Sequence, residues 1–169
     1  RAWAHVGKTL YQSYEMYEPA GVAADANGKI FVAQSAAGRI DVYNPNGSFG
    51  KSYILDNPAD VELSPSGKIL VKEGSGPSLW WIDKDSGLPS EALNPDIVDA
   101  DWGSGEYCAF APNAAGGADD AYFLSDSEAA CVRKYVGGAQ TLKIGEGVLE
   151  RPLDVEVDGN GNLVIADEW

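Results

Sequence analysis

The sequence predicts an all-β protein built from repeated four-stranded antiparallel sheets. Three observations support this prediction: one unit of sequence recurs along the chain, its apolar runs are short and rich in β-branched and aromatic residues, and Asn-Gly, Ser-Gly and Asp-Gly turn signals separate those runs. Such turn signals mark hairpins rather than helices. Because one meander of about 40 residues cannot cover both of its own faces, we expect several copies to stack radially as the blades of a β-propeller.

The repeat is clearest in two adjacent copies. The first begins at Pro19 and reads PAGVAAD, followed by the turn ANGK and the strands IFVAQ and RIDVY. The second begins at Pro58, 39 residues later, and reads PADVELS before a similar turn and strand. These copies predict blades at residues 19–57 and 58–94.

The remaining units are less regular. A third blade is predicted at residues 95–151, with an insertion at about 96–106, and residues 152–169 supply the first half of a further blade. Residues 1–18 suit the outer strands of a preceding blade. We therefore expect an incomplete ring, as in a piece of a larger propeller, and a closed ring of four blades is the alternative.

The repeat resembles a known family. The pattern Pro-x-Gly/Asp-Val-x-x-Asp, then Asn-Gly-Lys-Ile-Phe-Val-Ala, then Gly-Arg-Ile-x-Val-Tyr is similar to the NHL repeat, over nearly all of the chain from Pro19 to Trp169. The resemblance implies a six-bladed propeller that presents a face to a protein or another ligand. Some basic members of that family bind RNA, an activity that the charge of this chain disfavours.

Charge restricts the classes of partner. The chain has 26 acidic and 12 basic residues, a formal net charge of −14, which would repel a nucleic-acid backbone. A solvated acidic surface, cation binding and a basic partner remain as interpretations. No apolar run approaches the roughly 20 residues that a membrane-spanning helix needs. The acidic, glycine-rich and lysine-poor composition favours a secreted or extracytoplasmic setting.

Residues for common catalytic chemistry are scarce. The only histidine is His5 and the only cysteines are Cys108 and Cys131, so a Cys/His zinc site and a Ser or Cys triad are both disfavoured. The repeat alignment places one strand between the cysteines. Two strand spacings are about 9.6 Å, which is too far for a disulfide, so we predict two unpaired thiols.

Carboxylates recur at one predicted edge of the blades. In an antiparallel hairpin, the start of the first strand lies beside the end of the second, which places seven positions together. Five are acidic and form the predicted metal site: Asp60, Asp154, Glu73, Asp126 and Asp167, beside Gly21 and Gln34. Their oxygen atoms suit calcium, the cofactor that such a site would take. The alternative is that these acids cap strands or face solvent.

Two further segments are candidates for a calcium site and a partner-binding site. Residues 158–162 resemble half of a calcium loop, but Leu163 stands where such a loop requires glycine, so we predict a hairpin turn. The inserted segment is the least repeat-like, and insertions in repeat proteins often lie on the binding face. It provides the predicted partner-binding residues: Asp99, Asp101, Trp102 and Glu106.

The function that the sequence favours is a non-catalytic NHL-like scaffold for binding a protein or ligand. One alternative is a metal-dependent hydrolase or lyase with a cation at the propeller channel, which needs three or more converging oxygen ligands. A second is a structural subunit of a larger assembly, since unpaired edge strands need covering.

Overall fold

The computed structural model confirms an all-β chain of antiparallel four-stranded sheets. It describes residues 16–64, 66–74, 78–93, 108–110, 121–137, 139–158 and 160–168. The first sheet contains β1 (Pro19–Ala24), β2 (Ile30–Gln34), β3 (Arg39–Tyr43) and β4 (Phe49–Ile54). The second contains β5 (Pro58–Leu63), β6 (Ile69–Glu73), β7 (Leu79–Ile82) and β8 (Pro89–Leu93). The third contains β9 (Cys108–Phe110), β10 (Ala121–Asp126), β11 (Cys131–Val136) and β12 (Ala139–Ile144), and the last pair is β13 (Pro152–Val157) and β14 (Leu163–Asp167).

Each sheet is a meander in which neighbouring strands follow one another along the chain. The same register recurs at the start of three sheets, where Pro19 lies opposite Gln34, Pro58 opposite Glu73 and Pro152 opposite Asp167. A bulge follows the proline each time. The first strand of a sheet and the end of its second strand therefore meet at one edge, as the repeat predicted.

The turns between first and second strands depend on a side-chain acceptor. The Asp158 carboxylate accepts hydrogen bonds from the backbone N–H groups of Asn160 and Asn162, each at 2.8 Å, and Asp25 does the same in the first sheet. Gly161 adopts a φ of 84°, which favours glycine. The described residues of this segment, 158 and 160–162, thus belong to a hairpin turn, as predicted, because the carboxylate binds turn amides.

The hydrophobic core lies between successive sheets. Side chains alternate along each strand, so one set faces the preceding sheet and the other faces the next. Val61 and Val71 pack against the first sheet, whereas Leu70 packs against Tyr122 of the third. Between the third and fourth sheets, Phe123 packs against Val155. Adjacent sheets therefore stabilise one another through three layers of apolar contacts.

One face of the first sheet is more exposed than the matching faces of later sheets. Val22, Val61 and Val155 occupy the same position of their first strands, yet Val61 and Val155 are 0% and 1% exposed whereas Val22 is 65% exposed. The exposed side chain of Met16 adjoins Val22 along an apolar surface. In the described part of the chain, this face has no sheet packed on it.

The cysteine-bearing strands are arranged as predicted. Cys108 in β9 and Cys131 in β11 both flank β10, where Leu124 lies opposite Cys108 and Asp126 opposite Cys131. Cys131 is a buried free thiol, and burial raises its pKa. Among the described residues, no helix is long and apolar enough to cross a membrane.

Candidate functional site

The first strands of the sheets lie side by side, with β5 against β1 and β9, and β13 against β9. They form the inner side of the array. On β5, Asp60 and Glu62 flank the buried Val61, and on β13, Asp154 and Glu156 flank the buried Val155. Because strand side chains alternate with period two, the two carboxylates of each strand share the face opposite the valine. We call Asp60, Glu62, Asp154 and Glu156 the acidic inner surface.

The electrostatics show that these four groups act on one another. Burial, followed by the charges of Asp60, Glu156 and Asp154, raises the pKa of Glu62 from 4.5 to about 8. Burial and the charge of Asp154 also raise the pKa of Glu156. Glu62 therefore holds a proton at neutral pH, because ionising it would add another negative charge to a partly desolvated acidic surface.

Asp60 is fixed by its own backbone and by a close approach of two strands. Its Oδ1 accepts a hydrogen bond from the Val61 N–H at 2.9 Å, and Asp154 holds the Val155 N–H in the same way at 2.8 Å. A Cβ atom on Gly21 would lie 2.7 Å from the Asp60 Cα, so a side chain there would displace β1 from β5. Glycine at this position allows the inner strands to meet.

Asp126 belongs to a buried ion pair instead of the acidic inner surface. It is 0% exposed, and its Oδ2 lies 2.8 Å from both Nε and Nη2 of the equally buried Arg133. Gln140 accepts a further hydrogen bond from Arg133. In the first sheet, the equivalent positions hold Gln34 and Asp41, which are also buried and hydrogen bonded to each other. The side chain at the end of the second strand therefore joins that strand to the third strand of its sheet.

The other predicted ligands also have local roles. Asp167 accepts hydrogen bonds from the backbone N–H groups of Glu150 and Arg151, which fixes the entry to β13. Glu73 ends β6, where its backbone carbonyl accepts a hydrogen bond from Lys72. Of the five predicted acids, Asp60 and Asp154 are the two whose charges reach Glu62.

Within the described ranges, no three His, Cys, Asp or Glu side chains are close enough together to hold a metal ion. The predicted calcium site stays a prediction. The predicted partner-binding residues lie outside the described residues: Asp99, Asp101, Trp102 and Glu106.

Sequence reasoning missed Glu62 and Glu156. The available signal was the motif Asp-Val-Glu, which occurs once in the second copy of the repeat and once in the fourth. Period-two alternation places its acids on one face and its valine on the other. The first copy has Gly21 and Ala23 at these positions, so the acidic character is confined to β5 and β13 among the described first strands.

Comparison with known proteins gives matches to solved structures only. No family model and no curated protein sequence matches the chain. Among solved structures, hydrazine synthase of Kuenenia stuttgartiensis matches with a TM-score of 0.67 and 14% identity, over 97% of this chain and 45% of that chain. A catalytically inactive virginiamycin B lyase of Staphylococcus aureus, solved with quinupristin, matches with a TM-score of 0.64 and 18% identity, over 86% of this chain and 47% of that one.

The fold is that of a β-propeller. An auxiliary nutrient-binding protein of Bacteroides thetaiotaomicron matches as well, with a TM-score of 0.62, 14% identity, and coverage of 87% of this chain and 44% of that chain. The chain thus spans less than half the length of each of these three proteins. Their propeller-like architecture agrees with the stacked sheets seen here, in which the described blades form no closed ring. The four strands of each full sheet are the four strands of one blade.

Proposed function

We propose that this chain is part of a non-catalytic binding scaffold, an NHL-like propeller whose acidic inner surface binds a basic segment of a partner protein. The observation that carries this proposal is the placement of four carboxylates at alternate positions of two inner strands. The surrounding chain has a formal net charge of −14, so a cationic partner would also be attracted over a distance.

A basic segment suits this surface chemically. Lysine and arginine side chains donate several hydrogen bonds to carboxylates, and a bound cation favours the ionised form of a nearby acid. Glu62 is the group most affected, because burial and like charge keep it protonated in the free protein. A cationic side chain would replace that proton and relieve the repulsion among the acids.

The test is calorimetric titration of the protein with an oligolysine peptide. The double variant D60N/D154N should bind the peptide about tenfold more weakly or worse, because two of the four carboxylates of the acidic inner surface are replaced by neutral amides. D158N is the matched control: it makes the same chemical change in an exposed hairpin turn, where Asp158 binds turn amides. Equal affinity of all three proteins would reject the proposal.

A second candidate is a metal-dependent hydrolase or lyase with calcium at the channel. The acidic inner surface supplies oxygen atoms of the kind that calcium takes, although no three described acids converge on one point, and one of the matched propellers is a lyase. Calcium titration of the protein and of D60N/D154N tests it. Stoichiometric binding that the variant loses would favour the metal enzyme, whereas no heat up to roughly millimolar calcium would exclude even a weak site of the extracellular kind.

The alternative of a structural subunit in a larger assembly is favoured by the face of the first blade on which the described residues place no sheet and on which Val22 is 65% exposed. Light scattering measures the mass of the protein in solution. If that face joins another molecule, the protein should have a mass above that of one chain, and V22D should restore the single-chain mass. A single-chain mass for both proteins would contradict an assembly through this face.

A further inference from the structure

A cleft of about 610 Å³ lies between the first two blades, at the end where their first strands turn into their second strands. It includes Leu63, which packs in the same core layer as Val61, whereas Asp60 and Glu62 of the acidic inner surface share the opposite face of β5. The cleft is therefore a separate feature from the acidic inner surface.

The floor of the cleft is apolar and partly aromatic. Phe31 and Tyr53 line it and are 7% and 4% exposed, and Val42 adds an aliphatic side chain at 3% exposure. These residues belong to the core layer between the first and second blades. A ring or another flat apolar group could rest on them, because the floor is already held in place by packing on both sides.

The outer wall is fixed by contacts between the two blades. The Tyr53 hydroxyl donates a hydrogen bond to the Lys84 carbonyl at 2.9 Å, and the Lys51 ammonium donates to the same oxygen. The Lys51 Nζ also lies 4.4 Å from the centre of the Tyr53 ring. These contacts hold the β7–β8 turn against β4, so the cleft has a defined edge.

Lysines are concentrated on the rim, although the chain as a whole is strongly acidic. Lys29 and Lys84 line the cleft and are exposed, and among the described residues their ammonium groups make no salt bridge, hydrogen bond or ring contact. Every other described basic side chain contacts a carboxylate, a backbone oxygen or an aromatic ring: Arg39, Lys51, Lys68, Lys72, Arg133, Lys134, Lys143 and Arg151.

Two carboxylates share the cleft with these lysines. The Asp25 Oδ1 accepts hydrogen bonds from the backbone N–H groups of Asn27 and Lys29, at 2.9 and 2.8 Å, so it is engaged in its own turn. Asp85 is exposed at the other wall. With Lys51 held by the Lys84 carbonyl and the Tyr53 ring, the exposed ammonium groups of Lys29 and Lys84 are the cationic donors that the described lining offers to a ligand.

We propose that this cleft binds a small organic anion, with a ring or apolar body on the floor of Phe31 and Tyr53 and a phosphate or carboxylate bound by Lys29 and Lys84. An ammonium group paired with an anion forms a charge-assisted hydrogen bond, and the apolar floor adds affinity that an inorganic ion could not gain. The chemical class is thus an amphipathic anion, distinct from the basic segment proposed for the acidic inner surface.

The experiment is a titration of the ¹⁵N-labelled protein followed by amide chemical shifts. Phenyl phosphate is the probe, inorganic phosphate tests the anionic group alone, and phenyl glucoside tests the ring alone. Phenyl phosphate should shift the amides of residues 25–29 and 83–87 and should bind more tightly than either comparison compound. K29Q/K84Q should weaken its binding about tenfold or more.

K68Q is the matched control. Lys68 occupies the position of Lys29 in the next copy of the repeat, but its Nζ lies 5.6 Å from the centre of the Trp81 ring and it does not line the cleft. K68Q should bind phenyl phosphate as the unaltered protein does. Phenyl glucoside binding as tightly as phenyl phosphate, an unchanged affinity of K29Q/K84Q, or amide shifts confined to other regions would each overturn the proposal. Inorganic phosphate binding as tightly as phenyl phosphate would overturn the role of the floor.

Discussion

The acidic inner surface and the lysine-rimmed cleft are two charged regions that share β5 but use its opposite faces, because Leu63 lines the cleft in the core layer of Val61 whereas Asp60 and Glu62 share the other face. In the acidic inner surface, Asp60 and Glu62 alternate with a buried valine along β5. In the cleft, Lys29 lies in the β1–β2 turn of the first blade and Lys84 lies in the β7–β8 turn of the second blade. The first region gains its charge from strand periodicity, and the second gains it from turn residues that only folding brings together.

This difference shows how little an average charge says about local chemistry. The formal net charge of −14 predicts a cationic partner for the whole chain. It gives no indication that Lys29 and Lys84, which make no salt bridge in the described part of the chain, line one cleft. The two regions should consequently select ligands of opposite sign, and each can be altered without touching the other.

The largest expected effect concerns Asp126, which lies outside both the acidic inner surface and the cleft. R133M should destabilise the protein by about 3–5 kcal/mol, because it leaves the fully buried Asp126 without its cation. D126L/R133M should recover much of that loss by removing both charges. Urea unfolding of the unaltered protein, R133M and D126L/R133M measures these changes in the free energy of unfolding. A small effect of R133M would mean that Asp126 is solvated and available to the acidic inner surface after all.

The next effect is a dependence of stability on pH that originates at Glu62. Between 4.5 and about 8, the unfolded chain has released this proton while the folded chain still holds it. The free energy of unfolding therefore falls as pH rises through that window, by roughly 1.4 kcal/mol per pH unit. E62Q should flatten this slope and be the more stable protein near the upper end of the window.

Denaturant unfolding of both proteins across the window measures the slope. K68Q serves as a control, because it changes a charge in the adjacent hairpin turn, away from the acidic inner surface. An E62Q slope equal to that of the unaltered protein would show that Glu62 is as well solvated as an ordinary surface glutamate.

The smallest effect is a change in the titration of one acid caused by another. D154N should lower the pKa of Glu62 and of Glu156, since the charge of Asp154 contributes to raising both. D158N should leave both values unchanged, because Asp158 lies in the hairpin turn beyond β13. Side-chain carboxyl resonances followed by NMR report these values. Equal shifts from both variants would mean that the acids respond to overall charge and do not form one surface.

Much of the fold could be predicted because its signals are local. Pro58, the turn glycine Gly67 and the alternating strand residues fix strand bounds and registers within one blade, and the strand between Cys108 and Cys131 follows from the same alignment. The stacking of sheets also follows from residues such as Val61 and Leu70, which need partners on opposite faces.

The candidate site was harder to predict because similar residues have different neighbours. Asp60 and Asp126 are both acids near the same strand edge, but Asp126 pairs with Arg133 from the next strand, whereas Asp60 accepts a hydrogen bond from the backbone N–H of Val61. Glu62 looks like an ordinary surface acid in the sequence, and its raised pKa comes first from burial and from Asp60, and then from Glu156 and Asp154 on β13, far along the chain. The cleft depends on two turns from separate blades, which no repeat pattern brings together.

The most direct measurement is the number of protons released when oligolysine binds near neutral pH, obtained by calorimetry in buffers of different ionisation enthalpy. If the peptide binds the acidic inner surface, Glu62 should lose the proton that it holds with a pKa of about 8, and E62Q should bind without that release. Binding with no proton release, or the same release from E62Q, would contradict the assignment of this surface as the binding site.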